Sequence, residues 1–262
     1  MSKLSVTFDL WDTLLNDQPG YDKARRDMRC DGMLKVLNSH GLTPSRSRFL
    51  AEYDRSGAWL QTAWRTHSEI STKDQAHRIA AASVENLSED SELFQELENA
   101  YVRPVLVLPP RLSDEAVETL TGIRDRSTKI GLICNIGRSS GKILRDLLKD
   151  FRILDFFTTT VFSDEIGIRK PDRRIFEAAA LRMGVDISTI VHVGDHPEAD
   201  AWGAKQTGMK AVLLELPSEL LEGKDLASLW RSTKSISDSE IRPDARITSL
   251  KETISFVDQN SD

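Results

Sequence analysis

Short aliphatic runs, far apart along the chain, restrict what it can fold into more than any other feature. They fall at 4–8 (Leu-Ser-Val-Thr-Phe), 129–134 (Lys-Ile-Gly-Leu-Ile-Cys), 189–193 (Thr-Ile-Val-His-Val) and 210–214 (Lys-Ala-Val-Leu-Leu). Each is too brief for a helix, which marks a buried strand. The last three stand beside helix-like segments. Strands buried on both faces and alternating with helices belong to a parallel sheet in an α/β domain.

Between residues 18 and 102 no such strand is read. Apolar residues there recur at helical spacing, with Met33, Leu34 and Leu37 in one segment and Ile79, Ala82 and Val84 in another. Gly41–Pro44 and Ser68–Thr72 read as breaks, which predicts about four helices. The expected division is a core of 1–17 and 103–262 with an inserted all-helical domain at 18–102. Pro109-Pro110 marks the return to the core, because neither proline continues a helix. Ser113, Glu115 and Ala116 then open the next helix. Beyond 214, a helix is expected over 216–229, a loop over 232–243, and a last short strand and helix within 246–257.

Composition narrows the function classes. The formal net charge of −6 argues against a general binder of nucleic acid or acidic membranes. Cys30 and Cys134 match no metal or redox spacing. No run of ~18 apolar residues occurs, and Met1–Asp9 turns acidic too soon for a signal peptide. A cytoplasmic location is expected.

In open parallel sheets the ligand lies at the carboxyl ends of the strands. The segments just past 4–8, 129–134, 159–162 and 189–193 should therefore converge. They are Asp9-Leu-Trp11-Asp12-Thr13, Cys134-Asn135, Gly167-Ile-Arg-Lys170-Pro171 and Gly194-Asp195-His-Pro-Glu-Ala-Asp200. Carboxylates gathered with a lysine suit a hard divalent cation beside a phosphate. A carboxylate can also attack phosphorus to form an aspartyl-phosphate.

Taken together, these segments resemble the haloacid dehalogenase superfamily. The motifs are Phe8-Asp9-Leu-Trp-Asp-Thr13-Leu14, then Leu132-Ile-Cys134-Asn135, then Ser163-Asp-Glu-Ile-Gly167-Ile-Arg-Lys170-Pro171 with Phe176, and finally Val193-Gly194-Asp195 through Asp200 with Gly203-Ala204. The resemblance implies a Rossmann-like core with a C1-type helical cap, a magnesium ion, and a small phosphorylated substrate bound at the cap–core seam. It makes Asp9 the nucleophile and a metal ligand, Lys170 its charge partner and Asp195 a metal ligand. Asp200 would orient metal-bound water or Lys170, and the Trp11 carbonyl would be a further ligand.

Two positions depart from that pattern. Family phosphatases carry a second Asp two residues after the nucleophile as general acid and base, where this chain has Trp11. The second motif normally supplies a hydroxyl, where this chain has Cys134, a weak donor. Asn135 follows and can donate instead. An aromatic residue at the Trp11 position also occurs in the superfamily's metal-independent 2-haloacid dehalogenases, which makes dehalogenation the rival reading. A third is a catalytically impaired member that binds a ligand or partner. Asp12 falls one residue past the vacant acid position, where a turn-stabilising role is expected.

The stretch Gly137-Arg138-Ser-Ser-Gly141-Lys142-Ile143 is no phosphate-binding P-loop, having three residues between its glycines and Ile after Lys. Ser139 is expected to cap the next helix and Arg138 is a candidate substrate contact. Arg25, Arg26 and Arg29 lie in a basic half of the insert that either faces an anionic substrate or forms a solvated helix face.

Overall fold

A computed structural model describes residues 3–85, 87, 91–126, 128–217 and 240–261. The aliphatic runs form β1 (Ser5–Phe8), β4 (Ile130–Cys134), β5 (Thr159–Phe162), β6 (Ile190–Gly194) and β7 (Lys210–Leu214), and β8 (Ala245–Ile247) follows. All six belong to one sheet in the order β5-β4-β1-β6-β7-β8, with every pairing parallel. The chain starts at the centre, fills one flank with β4 and β5, then crosses to build the other from β6 onward. The order reverses between β1 and β6, and a parallel sheet leaves a crevice for ligand at such a point. Phe8 lies opposite both Leu132 and Val193, so β1 and β6 end nearly level while β4 runs two residues further, to Cys134.

Alternation along these strands builds two cores. Val6, Phe8, Leu132, Cys134, Val191 and Val193 point to one face. Ile133, Ile190, Ala211 and Leu213 point to the other, where α9 (Arg173–Met183) packs through Ile175, Phe176 and Ala179. On the first face, α6 (Ala116–Asp125) and α7 (Gly141–Asp150) contribute Leu120, Ile123, Leu144 and Leu147. The closing helix α11 (Glu252–Asn260) adds Val257.

Between β1 and β4 the chain forms α1 (Tyr21–Ser39), α2 (Arg46–Arg65), α3 (Thr72–Ser83) and α4 (Ser91–Val102), followed by the short α5 (Pro104–Val107). The four long helices bury their own apolar cluster around Met33, Leu37, Phe49, Ile79, Leu93 and Leu97. The inward stripe of α3 is Ala76, Ile79, Ala80 and Ser83, which obeys three-and-four spacing. Contrary to the sequence expectation, Ala82 is exposed because it falls off that stripe, and Val84 is only half-buried because the helix ends at Ser83 and the backbone at Val84 is extended. Two strands of two residues each, β2 (Leu15–Asn16) and β3 (Arg111–Leu112), pair antiparallel where the insert leaves and rejoins the core. Segments so short carry no periodicity and were not foreseen.

The basic residues of α1 divide: Lys23, Arg26 and Lys35 lie on the surface, whereas Arg25 and Arg29 are buried within the protein. Arg25 is buried, donating to Asp17 at 2.7 Å and to the Leu108 carbonyl at 2.8 Å. Arg29 is buried against the Tyr101 carbonyl at 3.0 Å, and Arg26 pairs with Asp54. Most of the segment expected to be helical over 216–229, and of the loop expected over 232–243, lies outside the described residues. No helix among the described residues is long and apolar enough to cross a membrane.

Candidate active site

Asp9 leaves the end of β1, its backbone N–H still bonded to the Val193 carbonyl of β6 at 2.8 Å. Asp195 leaves the end of β6 alongside it. Past it, a π-helical turn, Pro197–Trp202, carries Asp200 back beneath the strand end. Carboxylate oxygens of Asp9, Asp195 and Asp200 all lie within 4.8 Å of one another. Gly194 permits this approach: a β-carbon there would stand 2.3 Å from Asp200 Cγ, so only glycine fits.

Lys170 bridges the cluster from the loop after β5. Its Nζ donates to Asp9 Oδ1 at 2.5 Å, to Asp200 Oδ1 at 2.6 Å and to the Ile133 carbonyl at 2.9 Å. All three of its donors are therefore used within a buried setting. Asn135 fixes the lysine's backbone through a reciprocal pair: its Nδ2 donates to the Lys170 carbonyl at 3.0 Å, and Lys170 N–H donates to its Oδ1 at 2.8 Å. Asp200 is further held by the His196 N–H at 2.9 Å and lies 3.0 Å from His192 Nε2. His192 also meets Thr7 Oγ1 at 2.9 Å across the β1–β6 pairing and packs edge-on against Phe176. It is a core histidine supporting Asp200. His196 accepts from Ala199 N–H at 3.0 Å and so caps the π-helical turn. Thr13 Oγ1 donates to Asp195 at 3.4 Å.

The three carboxyls are not electrostatically alike. Burial, reinforced by the charge of Asp200 and opposed by Lys170, pushes Asp9 up to about 7. Burial likewise raises Asp195 well above the usual range, with Asp9, Asp200 and Asp12 adding repulsion. For Asp200, burial pulls upward too, but the Lys170 charge and the His192 contact outweigh it and hold the group ionised. Two acids that resist ionisation beside one that is fixed as an anion form a site short of positive charge. A hard divalent cation, which favours oxygen ligands, fits that donor set.

A cavity of about 470 Å³ opens from this cluster. Asp9, Trp11, Asp12, Asn135, Lys170 and Asp195 line its inner end, and Leu214, Glu215, Leu216 and Arg246 its outer one. Among the described residues, none of 18–102 lines it, so the cavity does not lie at the seam with the insert as the sequence reading expected. Trp11 and Asn135 are at the cavity, whereas Cys134 and Arg138 are not. Cys134 shares the inward face of β4 with Leu132, which turns its thiol into the core, where Sγ sits 3.4 Å from the Asn135 carbonyl. Arg138 reaches away into the insert, donating to Ser56 Oγ at 2.9 Å and to the Tyr101 hydroxyl at 2.7 Å. Asp12 adopts a left-handed φ of 58° and lines the cavity. The expected Ser139 cap is not formed: Ser140 stands at the N-cap of α7 without a side-chain bond to it, and Asp164 accepts from the Gly141 N–H at 3.0 Å. That helix start is thus already filled by a carboxylate.

Comparison with known proteins agrees with this geometry. A 2-haloacid dehalogenase from Pseudomonas syringae shares the fold at a TM-score of 0.64, with 24% identity and coverage of 98% of this chain and 99% of that one. A phosphatase of the same superfamily from Thermococcus onnurineus superposes at 0.57, with 23% identity and 97% of each chain covered. In sequence, a glyceraldehyde 3-phosphate phosphatase from Methanopyrus kandleri is 32% identical over 218 residues, spanning 79% of this chain and 82% of that protein. A phosphoserine phosphatase from Thermus thermophilus is 30% identical over 138 residues, covering 53% of each. The haloacid dehalogenase-like hydrolase family matches residues 5–208, and with the motifs assembled at one sheet edge, the chain belongs to that family of hydrolases.

Proposed function

We propose that the protein is a magnesium-dependent phosphatase of small phosphorylated metabolites that works through an aspartyl-phosphate on Asp9. The observation that carries this reading is the gathering of Asp195 and Asp200 around Asp9 within 4.8 Å. A carboxylate that attacks carbon in a metal-free displacement needs at most one further carboxylate, to activate the water that hydrolyses the ester, whereas two further carboxylates suit a divalent cation beside a phosphate. The named activity of the Methanopyrus kandleri relative points the same way.

Asp9, Asp195 and the Trp11 carbonyl would hold the ion, with Asp200 completing its surroundings. When bound, magnesium neutralises phosphoryl oxygens and so lets an anionic substrate approach an anionic nucleophile. An Asp9 oxygen forms the new bond to phosphorus while the bond to the leaving oxygen breaks, and that oxygen departs with the electron pair. Water then attacks phosphorus, the Asp9–phosphorus bond breaks, inorganic phosphate leaves and the carboxylate is restored. Lys170 balances charge through both steps from its place between Asp9 and Asp200. Asn135, at the cavity, is the side-chain donor for the phosphate that Cys134 does not supply. Residues 18–102 serve as the cap, shielding the core rather than lining the cavity.

Trp11 gives no exchangeable acid to the leaving group. General acid–base assistance contributes ~10²–10⁴-fold, so its loss weighs most on poor leaving groups such as alkoxides. Acyl phosphates, aryl phosphates and phosphoanhydrides are the expected substrates. The test is phosphate release from such a panel with and without magnesium, in the wild type and in Asp9→Asn. Release that needs the metal, disappears in the variant and falls with rising leaving-group pKa is expected. Halide release from 2-haloacids in the presence of chelator would establish the dehalogenase instead.

A further inference from the structure

Glu69 lies in the loop between α2 and α3, at the insert's contact with the core. Its side chain is 1% exposed and that of its partner Arg169 2%. One carboxylate oxygen accepts from both Arg169 Nη1 and Ser163 Oγ. The other accepts from Trp64 Nε1 at 3.0 Å and the Ile70 N–H at 2.9 Å. The Arg169 guanidinium also donates to the Ile136 carbonyl at 2.5 Å and lies 4.3 Å from the centre of the Trp64 ring. Backbone joins backbone at the same place. Glu69 N–H donates to the Gly167 carbonyl at 3.2 Å, and Arg169 N–H to the His67 carbonyl at 3.1 Å.

The sequence position of these partners matters. Arg169 immediately precedes Lys170, and Ile136 immediately follows Asn135. Those two site residues are themselves locked by their reciprocal hydrogen bonds. A second grip holds the same loop after β4: Gln75 Nε2 donates to the Gly137 carbonyl at 3.1 Å, and Tyr101 links Gln75 to Arg138. The insert thus holds both core loops that supply the lysine and its companion amide. Lifting it would strand two buried charges without partners.

We propose that Glu69 is a positioning residue: through Arg169 it clasps the helical insert to the core and holds Lys170 and Asn135 in register. The proposal rests on the reading of Asp9 and Lys170 as the reacting centre, and its test separates the two.

The full-length protein is compared with Glu69→Gln and Glu69→Asp by amide hydrogen exchange at Arg169 and Lys170. Magnesium-dependent hydrolysis of p-nitrophenyl phosphate is measured in the same variants. Exchange at the two amides should rise ~10-fold or more in Glu69→Gln. Small misplacement of a catalytic group costs up to ~10²-fold, so kcat should fall by ~10–10²-fold while KM moves less than ~3-fold. Glu69→Asp, which keeps the charge, should recover part of both. If Glu69→Gln alone misfolds, Glu69→Gln with Arg169→Met removes the buried charge without leaving a guanidinium unpaired, and the kcat loss should persist. Wild-type exchange in a folded variant, or faster exchange with unchanged kcat, would overturn the proposal. A wild type that releases no phosphate would sink the phosphatase reading, and the exchange measurement would still decide whether the clasp exists.

Discussion

Lys170 stands between two carboxylates, its side chain only 2% exposed. Replacing it by Met would leave Asp9 and Asp200 facing each other with no cation between them. Breaking such a buried pair costs about 3–5 kcal/mol, so denaturant melts of metal-free Lys170→Met should show a loss of that size. Magnesium should restore part of it. Also at the cavity, Trp11→Asp should raise turnover of alkyl phosphates relative to aryl phosphates, by up to ~10²-fold if the missing acid limits the rate. An unchanged ratio would place the bottleneck elsewhere. Gly194→Ala drives a methyl group into Asp200. Displacing a supporting carboxylate lowers metal affinity by ~10–100-fold, which calorimetric titration with magnesium would detect. The chemistry of these residue types was readable from their order in the chain, because each follows a strand. The fate of Cys134 and Arg138 was not. One depends on which face of β4 the last residue takes, the other on what the insert offers an arginine across the seam.

The apolar cluster of α1–α4 is distinct from those on the sheet, and we propose that this element group carries its own stability. Leu97 is wholly buried in it, and a Leu→Ala change in such a site costs about 2–5 kcal/mol. Leu97→Ala should therefore destabilise α1–α4 in hydrogen exchange while leaving the protection of β1, β4 and β6 unchanged. Equal losses in both would show that insert and core unfold as one. The strands were legible for a physical reason: both faces of β1, β4 and β6 are buried, so almost every residue along them is constrained. The two-residue β2 and β3 are set by pairing across the neck of the insert, a contact between residues nearly a hundred positions apart. Helix α3 was legible as a helix, but its inward stripe was misjudged by a few residues, because short helices with many alanines give a weak apolar pattern.

Across the whole molecule, the site's charge balance couples metal, proton and fold. In the metal-free protein Asp9 holds its proton up to about 7 against the usual 3.8. Between those values the folded state binds a proton the unfolded chain has released, so that contribution to stability is lost as pH rises toward about 7. A bound cation needs the ionised form. The rise in Tm on adding magnesium should therefore be larger at about pH 8 than at about pH 6; an equal shift at both would mean that proton and metal do not compete at Asp9.

By itself, the order of residues determined the layer architecture, the helical character of 18–102 and the set of acids available for chemistry, since these follow from local burial patterns and from chain position relative to strand ends. Tertiary structure alone decided that Asp200 is fixed as an anion while Asp9 and Asp195 are not, because Lys170 reaches both Asp9 and Asp200 but only Asp200 is also met by His192 and the His196 N–H. It also decided that the cavity runs along the margin of β7 and β8, and that Glu69 joins Arg169 a hundred residues away. Desolvation and contact across the fold set these outcomes, and neither is a property of any segment read alone.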